Sequence, residues 1–127
     1  MTVGIVDSTV IVHLYRREPA ALDWYGSQSR QLSVTPITWM EIIYGAGSRS
    51  NLARCKTILS QFSMEYLTPA DMDWAMQQME NLRLSHGVAT NDTLIASVCQ
   101  RLQVPLYTHN VKHMLVLLPT SLVVKPY

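Results

Sequence analysis

A chain of 127 residues, 48% hydrophobic and 15% charged, has the length and composition of one compact domain spanning 1–127, which excludes a disordered or low-complexity polypeptide. Ten basic against nine acidic residues leave a net charge of +1, so no global field draws in a polyanion and any nucleic-acid binding must come from a local patch. Two well-separated cysteines read as reduced, packed thiols, and no segment is apolar for long enough to span a bilayer or serve as a leader, so the expectation is a cytoplasmic protein without a membrane partner.

The first element is a buried strand, Val3-Gly4-Ile5-Val6, stopped by Asp7; from Ser8 the apolar residues Val10, Ile11, Leu14 and Tyr15 take helical spacing to about residue 17. Asp7 thus sits where a strand hands over to a helix, the edge of an α/β sheet at which ligands and metals are held. A helix cap explains the same residue equally well. Pro19 opens a second helix, 19–29, carrying Leu22, Trp24 and Tyr25, and Leu32-Ser33-Val34 is a second strand.

Thr35 and Pro36 cap and start a third helix through Tyr44, in which Glu41 shares a face with Ile37 and Tyr44. A lone carboxylate in so apolar a helix costs several kcal/mol unless it is paired, protonated or metal-bound. An ion pair with an arginine, or escape to the solvent edge, remains open. A fourth helix, 50–62, turns Leu52, Cys55, Ile58, Leu59 and Phe62 inward, and Arg49, Arg54 and Lys56 form the densest basic cluster. Residues 64–67 read as a strand, and Thr68-Pro69 open a long helix to His86 with Asp71 and Asp73 in its first turn, where they favour the dipole. Gly87 closes it. The next helix buries Leu94, Ile95, Val98 and Leu102 and carries Asp92 in its first turn, again open to a capping role. A strand at 105–108, a short helix capped by Asn110 and a strand at 121–124 complete the chain. Strands alternating with helices through short connections imply an α/β fold: a three-layer α/β/α sandwich around a mainly parallel sheet of about four to five strands.

Four stretches in this order resemble the PIN-domain family, and more closely its VapC-type toxins, over essentially the whole chain. They are Ile5-Val6-Asp7-Ser8-Thr9-Val10-Ile11, Glu41-Ile42-Ile43-Tyr44-Gly45-Ala46, Asp92-Thr93-Leu94-Ile95-Ala96-Ser97, and Leu106-Tyr107-Thr108-His109-Asn110-Val111-Lys112-His113. The resemblance implies a metal-dependent endoribonuclease in which Asp7, Glu41 and Asp92 match the acidic positions and hold Mg²⁺ or Mn²⁺. Asn110 falls where many members carry a fourth Asp; it would complete the catalytic set without adding charge, which leaves one metal or two undecided. Ser8, Thr9 and Thr108 match hydroxyl positions that orient the carboxylates. Met114 stands where members often have Phe. Hard oxygen donors suit those ions, and an ion-activated water attacking a phosphodiester requires no protein nucleophile. Arg49, Arg54 and Lys112 are the candidates for holding the RNA backbone. A cognate antitoxin and a homodimer partner also follow from the resemblance, with Trp24, Tyr25 and Trp39 compatible with an interface or a core.

Other readings are weaker. His109 and His113 have the spacing of a zinc pair but no accompanying ligand motif, and His13 and His86 read as structural. The position two residues after Asp7, where an aspartyl phosphotransferase needs an acid, is Thr9, and there is neither a Walker loop nor a dinucleotide turn. A receiver-like signalling domain would use Thr108 and Lys125-Pro126, but it lacks a phosphoacceptor Asp after residues 64–67. A PIN-fold module that binds without catalysis is the remaining alternative.

Overall fold

The computed structural model describes residues 1–127. β1 (Ile5–Val6) is followed by α1 (Ser8–Tyr15) and α2 (Pro19–Gly26), and β2 (Ser33–Val34) by α3 (Pro36–Tyr44) and α4 (Arg49–Leu59). β3 (Ser63–Met64) leads to α5 (Pro69–His86) and α6 (Thr90–Leu102), and β4 (Leu106–Tyr107) to α7 (Val111–Met114). A 3-10 turn, Thr120–Leu122, delivers the chain to β5 (Val123–Val124). The strands form one sheet in the order β3-β2-β1-β4-β5, with every pairing parallel. A receiver-like sheet would place β1 between β2 and β3; here β3 lies at the outer edge beyond β2, which removes that reading.

Side-chain alternation along the central strand sets the layers. Ile5 faces a core built with Val88, Ile95, Val98, Leu106 and Met114, beneath α5, α6 and α7. Val6 faces the other way, into a core with Val10, Ile11, Val34, Ile42 and Leu59, beneath α1 to α4. The sheet is therefore covered on both faces, the three-layer α/β/α arrangement expected. Because all strands point the same way, the residues that follow β1 and β4 emerge along one edge.

Several expected boundaries move, each for a local reason. α1 stops at Tyr15, since Arg17 adopts a left-handed φ of 56° at the turn into α2. α2 ends at Gly26, where the side chains of Ser27 and Gln28 both donate to the Trp24 carbonyl in place of further helix. α4 ends at Leu59, with the Ser60 hydroxyl on the Thr57 carbonyl. β3 begins at Ser63, paired to Ser33, and its ladder ends with the Glu65 N–H on Val34 O at 2.9 Å. Thr35 and Thr68 cap as expected, Thr68 in a reciprocal box with Asp71, and Gly87 closes α5 at φ +64°. Trp24, Tyr25 and Trp39 pack against the Val6-side core, whereas Met40 and Tyr44 of α3 face solvent. Cys55 and Cys99 are free and buried, and no helix is long and apolar enough to cross a membrane.

Candidate active site

Asp7 occupies the turn between β1 and α1 and is 2% exposed. Its Oδ1 accepts the Ser8 N–H at 2.7 Å and the Ser8 hydroxyl at 3.4 Å. Its Oδ2 accepts the hydroxyls of Thr9 at 3.2 Å and Thr108 at 2.6 Å. Capping and site-building are therefore one arrangement. Both threonine hydroxyls are aimed by the backbone: the His109 N–H donates to Thr9 Oγ1 at 3.1 Å and the Asn110 N–H to Thr108 Oγ1 at 2.9 Å. A hydroxyl that accepts such a bond has its own proton left for another acceptor, here Asp7. All of these donors are neutral, and neither ion pair of the molecule, His13–Glu18 or Asp71–Arg101, involves Asp7.

Glu41 approaches from α3 and Asp92 from the first turn of α6. α3 is only half-buried, with Thr38 and Ile42 inward, so the wholly apolar surroundings expected for Glu41 are corrected by the outward turn of Met40 and Tyr44. No arginine pairs with Glu41. Its Oε2 accepts from Asn91 Nδ2 at 3.3 Å, while Oε1 is buried without a hydrogen-bond partner. Burial first, then the negative charges of Asp7 and Asp92, hold its carboxyl above the ordinary range, against the lowering effect of Asn91 and Ser8. Asp92 is likewise raised, by burial and then by Asp7, and is eased by His113 and by Asn110, whose Nδ2 donates to Asp92 Oδ2 at 3.2 Å. The three acids thus share one electrostatic field. They do not form a closed cage, since no three His, Cys, Asp or Glu side chains stand close enough together to hold one ion.

Asn110 stands at the N-cap position of α7 but makes no side-chain cap bond; the expected cap gives way to the tertiary bond to Asp92. Asn91, which sequence reasoning passed over, does the same for Glu41; its only sequence signal is adjacency to Asp92. Of the basic candidates, Lys112 lines a groove of about 340 Å³ with Asp92, His86, His113 and the apolar Val88 and Leu117. Arg49 is exposed at the start of α4. Arg54 is turned onto Tyr15, stacking 4.1 Å from the ring centroid and donating to its carbonyl, so it is a structural tie and not part of this cluster. Arg16, also passed over, lines a second depression of about 320 Å³ together with Glu41. His109 and His113 diverge: His113 rims the groove by Asp92, while His109 packs on His13, which removes a zinc pair.

Comparison with known proteins places the fold. The family model for the PIN domain matches residues 4–113. The chain superposes on a protein of DNA-bound VapBC from Salmonella typhimurium with a TM-score of 0.84 at 20% identity, covering 98% of each chain. It is similar to one of a toxin-antitoxin complex from Klebsiella pneumoniae (TM-score 0.78, 22% identity, 98% of each chain). FitAcB from Neisseria gonorrhoeae also matches (TM-score 0.75, 18% identity, 97% of each chain). No curated protein matches the sequence.

Proposed function

The chain belongs to the PIN domain family, and from that premise we propose that it is a metal-dependent endoribonuclease, the toxin of a toxin–antitoxin pair. The observation that carries the reading is the buried, unpartnered Oε1 of Glu41, set in the common field of Asp7 and Asp92, with none of the three acids in an ion pair. Such an orphaned carboxylate oxygen calls for a positive partner, and donors that are all hard oxygen suit Mg²⁺ or Mn²⁺. Asp7, Glu41 and Asp92 would hold the ion directly or through water, and when bound it supplies an acidified water and a counter-charge for a phosphodiester.

The chain's own residues do the positioning. Asp7 is locked by Ser8, Thr9 and Thr108, Asn91 steadies Glu41, and Asn110 acts by steadying Asp92. Lys112 meets the RNA backbone at the rim of the groove beside Asp92, with Arg49 farther along the surface, and the Val88–Leu117 floor takes an unstacked base. Single-stranded RNA is therefore the substrate class. Residues 1–127 act as one domain in the cytoplasm, consistent with two buried free thiols. The partners are a cognate antitoxin and a second copy of the chain, for which Met40, 53% exposed, and Tyr44, 93% exposed, offer apolar surface on α3.

The test is cleavage of a mixed RNA by purified, antitoxin-free protein with Mg²⁺ or Mn²⁺, beside a chelator and Asp7→Asn. Cleavage abolished by both is the expected result. Cleavage that persists in Asp7→Asn refutes the site, and folded protein that cuts no RNA turns the reading to a binding module.

A further inference from the structure

The turn that carries His109 and Asn110 is gripped from outside the acidic centre. The His109 ring centroid lies 4.7 Å from that of His13 on α1 and 4.5 Å from that of Tyr127, which follows β5, each pair tilted by 60°. The Tyr127 hydroxyl meets His13 Nδ1 at 2.8 Å, and Trp24 of α2 stands 6.0 Å from the Tyr127 ring on another side. Tilted rings at these separations attract. His109 Nε2 is buried with no hydrogen-bond partner, so on that side packing, not a polar contact, holds the ring. The backbone on which the ring is mounted donates the two N–H bonds that aim Thr9 and Thr108 at Asp7.

We infer that Tyr127 is a positioning residue for the acidic centre: its ring clamps His109 against His13 and thereby fixes the N–H groups that orient the Thr9 and Thr108 hydroxyls on Asp7. The functional consequence rests on the reading of Asp7 as an ion-holding carboxylate; the clamp itself does not. Without the Tyr127 ring, His109 keeps one aromatic neighbour of two, the turn gains freedom, and the hydroxyls lose their fixed direction. Partners of a ligating carboxylate contribute 10- to 100-fold to ion affinity or activity, which sets the scale of the loss. Tyr127 does not line the groove beside Asp92, so RNA binding stays intact.

Tyr127→Ala, Tyr127→Phe and a distant control, Tyr66→Ala, test this in the full chain. The measurements are Mn²⁺ affinity by calorimetry without RNA, kcat and KM on a single-stranded oligoribonucleotide, and amide exchange at His109 and Asn110. Tyr127→Ala is expected to weaken Mn²⁺ binding and lower kcat by about tenfold with KM within about twofold, and to speed exchange at both amides. Tyr127→Phe, which keeps the ring, restores these values, and Tyr66→Ala matches wild type. Unchanged exchange and Mn²⁺ affinity in Tyr127→Ala overturn the inference, as does a Tyr127→Phe as impaired as Tyr127→Ala. Wild-type protein that cuts no RNA overturns the nuclease reading instead; exchange and Mn²⁺ affinity then decide the clamp by the same criteria.

Discussion

Asp7 and Asp71 are equally deep, each 2% exposed, and each sits at the start of a helix, yet the chain treats them in opposite ways. Asp71, at the seam of α5 and α6, takes the Thr68 N–H on one oxygen and the Arg101 guanidinium on both, at 2.9 and 3.0 Å. Asp7 receives only neutral donors, makes no ion pair, and shares its field with two more acids. A buried carboxylate with its own arginine is complete as folded. One with hydroxyls for direction and acids for neighbours has no counter-charge of its own, which is the arrangement the proposed ion-holding role needs.

Exchanging the two charges gives the sharpest contrast. Asp7→Asn should lower RNA cleavage on the order of 100-fold or more with little change in unfolding midpoint. Asp71→Asn should do the reverse, lowering stability by about 2 kcal/mol or more by stranding the half-buried Arg101, with kcat of the folded fraction preserved. Urea unfolding and initial cleavage rates on both variants check this; similar profiles would erase the distinction.

Next in size is ion-linked stability. Mn²⁺ at about 100 times its Kd should stabilise wild type by about 2.7 kcal/mol, Asp71→Asn by a similar amount, and Asp7→Asn far less. Thermal unfolding with and without chelator measures it.

The pH dependence is smaller and carries a sign. Glu41 and Asp92 are raised above their ordinary 4.5 and 3.8 by burial and neighbouring acids. Between the ordinary and the raised values the folded chain keeps protons that the unfolded chain has released, so these two groups make metal-free stability fall as pH rises through that interval. Glu41→Gln removes its share of the fall, and saturating Mg²⁺ offsets it; unfolding curves at stepped pH, read as the difference between wild type and Glu41→Gln, test the sign. Smallest is Asn91→Ala, which takes from Glu41 its one side-chain amide donor and should weaken Mn²⁺ binding by roughly a few-fold, at the low end for such partners, as calorimetry would show.

Asp7 and Glu41 were legible because an acid that ends an apolar strand, or interrupts an apolar helix, is anomalous on sight. Asp92 needed its companions, since alone it looks like any first-turn acid. The alternation that defines the layers was legible too, although strands of two residues are too short for their ends to leave a periodic trace. α3 misled because Trp39, Met40 and Tyr44 are all apolar while only Trp39 packs inward, and exposure is decided by neighbours the helix does not encode. Asn110 has the chemistry of a cap, and only the nearness of Asp92, 18 residues upstream, redirects it. The Tyr127 clamp had no local signal: His13 and Tyr127 are 114 residues apart, and it takes both the β1–β4 and the β4–β5 pairings to bring them together.

The shortest bond to Asp7 comes from a threonine 101 residues downstream, just past a strand that is itself flanked by β5. During synthesis Asp7 leaves the ribosome first, and its hydroxyl partner Thr108 and the backbone N–H groups behind it follow only 101 residues later. Until β4 inserts beside β1, Asp7 lacks the Thr108 hydroxyl and ends a strand that is paired on one side only, with β2. Closing so long a loop comes late and makes folding slow. A nascent chain therefore carries no assembled acidic centre until β4 and Thr108, 101 residues behind Asp7, have emerged and docked beside β1.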